Sequence, residues 1–220
     1  MASPDLRTAN AVRDGQLLIW SSEMSAHVTT RLSLLLRIRD SANVEAWTRF
    51  VQIYAPVIHR FGIRRGLQDA DAADLTQDVL RAVSHSIEKF EYDPETGKFR
   101  CWLLTIARYT LCRMHQLRSR QPTASGDSAV QKILEASPAH DPDLISWDNE
   151  YTRRTFELAA EHVRSQVEEV TWLAFSKTAI EQQDPARVAD ELGIKVGTVY
   201  VSKSRVLARL QKAVSEIERI

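Results

Sequence analysis

Hydrophobic residues recur at three- and four-residue spacing along most of the chain, and runs that alternate polar and apolar residues are nearly absent. This periodicity predicts α-helices and no β-sheet, and therefore an all-α protein. The predicted helices cover residues 30–39, 44–61, 69–90, 99–118, 151–163 and 167–178, followed by a helical pair at 185–212. Pro56 lies inside the second helix, and we expect it to kink or split that helix.

The segment 185–212 has the pattern of a helix-turn-helix that binds duplex DNA. Gly193 stands where the chain must turn, and Thr198 is the expected N-cap of the second helix. The residues expected to face the core or fill the turn are Val188, Ala189, Leu192, Ile194 and Val196. The second helix carries basic residues and no acid until Glu216, which suits an approach to phosphates. The alternative is an ordinary helical hairpin with a solvated basic face.

Proline, glycine and serine concentrate in residues 119–150, where helical periodicity is weak. We therefore predict two small helical domains joined by a flexible acidic linker, the C-terminal domain being a helix-turn-helix. The predicted spans are a loosely ordered leader at 1–28, an N-terminal helical domain at 30–120, the linker at 121–148 and the C-terminal domain at 149–220.

The net charge is zero, but the two signs are segregated: basic residues cluster at 113–120 and 203–212, and acids gather between them. No apolar run is long enough to cross a bilayer, so we expect no membrane insertion. Cys101 and Cys112 are expected to be buried, reduced thiols of a cytoplasmic protein. The six histidines lack metal-ligand spacing, and no phosphate loop or nucleophile motif occurs. We predict a binding protein with no catalytic residue, cofactor or metal.

Two predicted helices carry polar side chains with candidate roles. One face of the third helix, either solvated or a docking surface for another protein, contains Asp74, Gln77, Asp78 and Arg81. In the fourth helix, arginines are interleaved with Trp102 and Tyr109. Arginine with aromatic rings is the combination that holds unpaired bases, because the cations neutralise phosphate and the rings stack. The two rings could equally be core or rim residues.

Three segments carry a resemblance to a known family. They read ADLTQDVLRAV at 73–83, FEYDPETGKFRCWLLTIAR at 90–108 and VADELGIKVGTVYVSKSRVLARL at 188–210. The chain resembles bacterial RNA polymerase sigma factors of the sigma-70 family, in the compact extracytoplasmic-function (ECF) class. The resemblance implies a factor that binds core RNA polymerase, recognises the −10 and −35 elements of promoter DNA and promotes melting. It also leaves open an anti-sigma factor as a partner.

The resemblance implies a role for each matching residue. Asp74, Gln77, Asp78 and Arg81 match the helix that docks on the polymerase clamp. The residues implied for the −10 element are Lys98, Arg100, Trp102, Arg108, Tyr109, Arg113 and Arg118. The loop at 91–98 matches the part that captures a flipped-out base. Those implied for the −35 element are Thr198, Tyr200, Lys203, Ser204 and Arg205. The linker matches the segment threaded through the polymerase near the RNA exit path.

Two other functions stay open at this point. A conventional helix-turn-helix regulator with an N-terminal effector or dimerisation domain would share the C-terminal pattern. Such a regulator has no need for an arginine-and-aromatic helix beside a base-sized loop. An enzyme with an appended DNA-binding domain is a weaker alternative, because the chain has no catalytic motif. Lys203 also departs from the apolar residue usual at its position in the family.

Overall fold

The computed structural model describes residues 32–40, 42–90, 98–119 and 141–219. These residues form helices and no strand, which confirms the predicted all-α class. The predicted leader at 1–28 lies outside the described residues, as do residues 91–97 of the predicted loop at 91–98 and residues 121–140 of the predicted linker at 121–148. The last seven residues of that linker are helical, contrary to expectation.

Eight α-helices follow one another in the described part of the chain. They are α1 (Leu32–Ile38), α2 (Val44–Arg64), α3 (Asp69–Ser86), α4 (Lys98–Ser119), α5 (Pro142–Arg164), α6 (Glu169–Phe175), α7 (Pro185–Leu192) and α8 (Val196–Arg219). A 3₁₀ turn follows α3, and a π turn follows α6. The chain groups into a first unit and a second unit, whose main spans are residues 29–154 and 155–217, so the boundary falls inside α5. The functional domain limits given above stay a prediction.

The first unit is built around α2, whose start is fixed by Asn43. The Oδ1 atom of Asn43 accepts a hydrogen bond from the Ala46 amide at 3.0 Å, which satisfies one free N–H of the first turn. α2 packs against α1 and α3, and α3 packs against α4. The large apolar side chains buried among these helices include Phe50, Tyr54, Ile58, Phe61, Leu75, Val79, Val83, Phe99 and Leu103.

Pro56 does not split α2, which is continuous from Val44 to Arg64. Proline has no N–H, so the carbonyl of Gln52 one turn earlier loses its helical partner. The Nε atom of Arg154 in α5 donates a hydrogen bond to that carbonyl at 3.0 Å. A side chain from another helix therefore replaces the missing bond, and the predicted split is wrong.

α2 and α3 approach each other closely at Gly62. A Cβ atom at this position would lie 3.1 Å from Leu75 Cδ2, 3.2 Å from Ala72 Cβ and 3.3 Å from Leu67 Cδ1. The Ala72 Cβ cannot move without its backbone, so a larger residue would push the helices apart. Gly62 thus serves interhelical packing in the last turn of α2.

α5 begins at Pro142, nine residues before the helix predicted to start at 151. The Asp141 carboxylate accepts a hydrogen bond from the Asp143 amide at 3.0 Å, and Pro142 occupies the first helical position. An aspartate cap followed by proline is a helix start signal, which the proline-rich composition of the segment concealed. Trp147 and Tyr151 then bury their side chains in the first unit, Trp147 against Phe61 and Tyr151 against Tyr54.

The second unit contains the helix-turn-helix formed by α7 and α8. Asp184 caps α7 by accepting hydrogen bonds from the Ala186 and Arg187 amides at 3.1 Å. Gly193 ends α7 in the left-handed conformation with φ 65°. The core of the motif consists of Ala174, Val188, Ala189 and Val199, with Leu192 and Ile194 packed against it.

Two expectations for the turn are wrong. α8 begins at Val196, and the Thr198 amide donates to the Lys195 carbonyl at 2.8 Å, so Thr198 is inside the first turn and does not cap it. Val196 is exposed and does not fill the turn.

Among the described helices, none combines the length and apolar character that a bilayer span requires. Both cysteines are free, but Cys112 is exposed, contrary to expectation.

We predict that Gly62→Ala lowers the free energy of unfolding by about 1–3 kcal/mol, because the added methyl group overpacks the α2–α3 contact. Thermal or urea unfolding measures the change. Gly197→Ala is the matched control, since a Cβ there meets nothing within 4 Å. In that variant the higher helix propensity of alanine should leave stability unchanged or raise it by up to about 1 kcal/mol. Equal losses in the two variants would contradict the packing role of Gly62.

Candidate polymerase and nucleic-acid interfaces

One exposed face of α3 brings together the four residues predicted to dock on the polymerase. Asp74, Gln77 and Arg81 are exposed, and the Asp78 side chain is 46% exposed. Arg81 donates to Asp78 Oδ1 at 2.7 Å, one turn apart. At 100° per residue the four side chains fall within about 100° of the helix circumference, so they form one compact polar surface. The opposite side of α3 is buried through Leu75, Val79 and Val83.

The residues of α4 predicted for the −10 element lie on two stripes of the helix. Helical spacing places Lys98, Trp102, Tyr109 and Arg113 on one stripe, and Arg100, Arg108 and Arg118 on another, about 110–170° away. Arg113 is exposed, whereas Trp102 and Tyr109 are half-buried. The side chains of Lys98 and Arg118 lie outside the described part. The structure therefore does not gather all seven residues on a single surface.

Trp102 lies at the rim of an aromatic cluster. Its ring centroid is 4.7 Å from that of Phe90 and 5.5 Å from that of Phe99. Phe90 and Phe99 are buried, and Trp102 is half-buried. One part of the indole is thus held by packing, while another part stays open to solvent. A held ring with an open face is suited to stacking on a base.

Arg108 on the second stripe is occupied by two carboxylates. Its Nη1 and Nη2 atoms reach the two oxygens of Asp141 at 2.6 Å and 2.7 Å, a bidentate pair. Nη2 also lies 2.5 Å from Asp143 Oδ2, an oxygen that pairs with Arg65 as well. The hydrogen bond to Asp141 and the one to Asp143 raise the pKa of Arg108 above its usual value. The same bond to Arg108 lowers the pKa of Asp141.

Arg100 is held in the same way by α5. Its Nη1 atom lies 2.8 Å from Asp148 Oδ1, and its guanidinium lies over the ring of Tyr151, 5.7 Å from the centroid. Burial raises the pKa of Asp148, although the nearby Arg100 charge acts in the opposite direction. Arg100 and Arg108 are therefore not open to a phosphate in this conformation.

The carboxylate of Glu150, also in α5, pairs with two arginines of α2. Glu150 is 6% exposed, and its Oε1 atom lies 3.1 Å from Arg60 Nε. Arg64 Nη1 lies 3.9 Å from its other oxygen, and Arg153 within α5 also binds it. A buried carboxylate without such partners would be strongly destabilising. Within the described residues, no group of His, Cys, Asp and Glu could hold a metal ion.

The exposed face of α8 carries most of the residues predicted for the −35 element. Thr198, Tyr200, Ser204 and Arg205 are exposed, and Lys203 is half-buried. Val199 and Ser202, which lie three residues apart on one side of α8, are buried, so the exposed side is well defined. Partial burial of Lys203 agrees with an aliphatic stem lying along the protein and an ammonium directed to solvent.

Sequence reasoning missed Val201, which is 56% exposed beside Tyr200 and one turn before Arg205. An exposed valine at this register is the signal that could have identified it, because apolar side chains contact the methyl group of thymine. Asp141, Asp143 and Asp148 were also missed as partners of the arginines. The sequence shows that acids gather in this part of the chain, but it does not show that they lie close to α4. That proximity depends on Trp147 and Tyr151, whose side chains are buried in the first unit.

Comparison with known proteins connects these surfaces to a family. The sigma-70 region 2 family matches residues 50–122, which include most of α2, all of α3 and all described residues of α4. The ECF RNA polymerase sigma factor RpoE of Cereibacter sphaeroides is 25% identical over 190 residues, covering 84% of this chain and 93% of the relative. Together with the all-α fold, the region 2 match and this likeness support an RNA polymerase sigma factor of the sigma-70 family, in the ECF class.

Proposed function

We propose that this sigma factor binds core RNA polymerase, directs it to promoters through the −10 and −35 elements and promotes melting of the DNA. The observation that carries the proposal is the region 2 match over residues 50–122, which coincides with the helices that bear the polar face and the arginine-and-aromatic stripe. The factor would act in the cytoplasm and contribute no bond-making chemistry of its own. An anti-sigma partner stays a prediction.

The polar face of α3 is the proposed polymerase-docking surface. Asp74, Gln77, Asp78 and Arg81 present both signs of charge and an amide on a rigid helix. Opposite charges placed side by side make such a surface selective, because a partner must match them in order. The buried opposite side of α3 fixes the helix, so the surface needs no rearrangement before it binds.

The stripe of Lys98, Trp102, Tyr109 and Arg113 is the proposed track of the −10 strand. Arg113 offers an exposed cation for phosphate, and the open part of Trp102 offers a face for a base. Arg100, Arg108 and Arg118 were predicted for the same element. They lie on the other stripe of α4, where Arg100 and Arg108 already have carboxylate partners.

The exposed face of α8 is the proposed −35 reader. The small side chains of Thr198 and Ser204 let the helix approach the bases, and Arg205 can reach a base edge or a phosphate. We add Val201 to this set because of its exposure between Tyr200 and Arg205. A conventional regulator with the same C-terminal motif is not favoured, since a region 2 match occupies its would-be effector domain.

We expect the purified chain with core RNA polymerase to start transcription from a cognate promoter, and neither component to do so alone. Transcript mapping after overexpression identifies such promoters, and run-off transcription in vitro measures initiation. Failure of the chain to co-purify with core enzyme would contradict the proposed function.

Asp78→Lys should weaken binding to core polymerase by about tenfold or more, because like charges then face each other at the interface. Binding of the same variant to duplex −35 DNA should be unchanged. Asp69→Lys is the control: its side chain is 92% exposed, and it lies nine residues away, at the start of α3 and outside the polar face. Equal losses of polymerase binding in both variants, or of both activities in Asp78→Lys, would refute the docking assignment.

Arg205→Ala should weaken duplex −35 binding by about 1–3 kcal/mol if Arg205 reaches a base edge. The loss should then disappear on promoters altered at the contacted base, whereas a phosphate contact would give a similar loss on every sequence. Lys212→Ala is the comparison, because its side chain is 77% exposed about 10 Å further along α8. Footprinting and binding titrations on matched and mismatched duplexes measure both variants. Unchanged binding by Arg205→Ala would remove this residue from the proposed reader.

A further inference from the structure

The acidic start of α5 covers a surface of five arginines. These come from α2 and α4 and are Arg60, Arg64, Arg65, Arg100 and Arg108. Each of them faces a carboxylate of residues 141–150, which we call the acidic segment.

Aromatic rings lie under the same segment. The Tyr151 ring stacks on that of Tyr54 at 5.4 Å, and the Trp147 ring meets that of Phe61 edge-on at 5.8 Å. The guanidinium of Arg65 also lies 5.5 Å from the centroid of the Phe61 ring. If the acidic segment left, the five arginines would face solvent together beside the ring of Phe61, whereas Tyr54 would stay covered by Tyr151, which lies outside the segment.

Guanidinium groups beside aromatic rings are the combination that binds single-stranded nucleic acid. The bidentate grip of Arg108 on Asp141 uses the donor geometry with which arginine binds phosphate. The carboxylates therefore occupy the positions that backbone phosphates would take, and a strand and the acidic segment cannot bind at the same time.

We propose that these five arginines with Phe61 form a second surface for single-stranded DNA, masked by the acidic segment acting as an internal competitor. This surface lies beyond the stripe of Lys98, Trp102, Tyr109 and Arg113 proposed for the −10 strand. It rests on the proposed function only in sharing Arg100 and Arg108 with the residues predicted for that element. Release of the segment would add a second contact for the separated strand.

The ion pairs are suited to exchange. The arginine side chains are between 18% and 45% exposed, so solvent screens their attraction to the carboxylates. Replacing a carboxylate by a phosphate keeps the charge and the hydrogen bonds, so the net cost of exchange at each arginine is small. Competition between two such anions is decided by local concentration, which favours the attached segment until DNA is held nearby.

The test uses the full chain and a short fluorescein-labelled single-stranded DNA of mixed sequence, with binding measured by anisotropy at low salt. Asp141→Asn/Asp143→Asn should bind about tenfold more tightly than wild type, because Arg65 and Arg108 become available to phosphate. Asparagine also caps helices, so the start of α5 should be kept. Glu45→Gln/Asp69→Asn removes two exposed carboxylates of the same unit and should gain no more than about twofold.

A second pair of substitutions identifies the surface used. Arg65→Gln/Arg108→Gln should abolish the gain when added to the aspartate variant. Arg113→Gln should weaken binding in both backgrounds. Circular dichroism verifies that each variant is folded. Asp148→Asn frees Arg100 and leaves the start of α5 intact, and it should raise the affinity for single-stranded DNA by a smaller factor of about threefold.

Equal gains in the aspartate variant and its control would overturn the masked surface, as would a gain that survives Arg65→Gln/Arg108→Gln. Either outcome leaves the −10 stripe intact if Arg113→Gln still weakens binding. If instead Arg113→Gln has no effect in wild type, the proposed −10 stripe fails, while a gain abolished by Arg65→Gln/Arg108→Gln still supports the masked surface.

Discussion

The first unit depends on the aromatic contacts of Tyr54, whose side chain is fully buried. Its ring lies 4.7 Å from Phe50, 5.7 Å from Phe99 and 5.4 Å from Tyr151, so one side chain of α2 contacts both α4 and α5. Burying a large aromatic ring stabilises a fold by about 1.5–3 kcal/mol, and ring pairs add about 0.5–1.5 kcal/mol. These contacts fix the position of α4, and with it every proposed −10 residue, and they fix the acidic start of α5 relative to that helix.

The ion pairs follow from this packing and do not create it. Trp147 and Tyr151 bring the acidic segment close to α4, and the carboxylates then find the arginines. Partly exposed ion pairs contribute about 0–1 kcal/mol each, less than one buried aromatic side chain. Glu150 differs, because a buried carboxylate that lost its arginines would cost several kcal/mol. The outer pairs of Arg65, Arg100 and Arg108 can therefore open first, whereas exposing Arg60, Arg64 and the Phe61 ring also requires Glu150 and Trp147 to leave.

Helical periodicity and turn residues were sufficient to predict the fold class, the helix-turn-helix and the shared face of Asp74, Gln77, Asp78 and Arg81. Contacts between distant helices were not accessible in this way. The hydrogen bond from Arg154 to the Gln52 carbonyl, which Pro56 leaves without a helical partner, joins residues 102 positions apart. No local sequence pattern predicts such a bond. The same limit applies to the acids of α5. Their side chains looked like those of a flexible linker because composition describes a segment alone, whereas Trp147 has its partner Phe61 in another helix.

The two units differ in how much of their positive charge is accessible to solvent. We infer from this difference which unit contacts DNA first. In α8, Arg205 is exposed, and Lys212 is 77% exposed with its Glu216 partner at 3.7 Å. In the first unit, five arginines already have carboxylates within 4 Å. Non-specific attraction to DNA depends on accessible cations, because each phosphate contact releases counterions. Under the function that we propose, a free chain therefore meets duplex DNA first through α8. In the proposed masking, the paired arginines of the first unit become available only to a strand that has already been separated and held beside them.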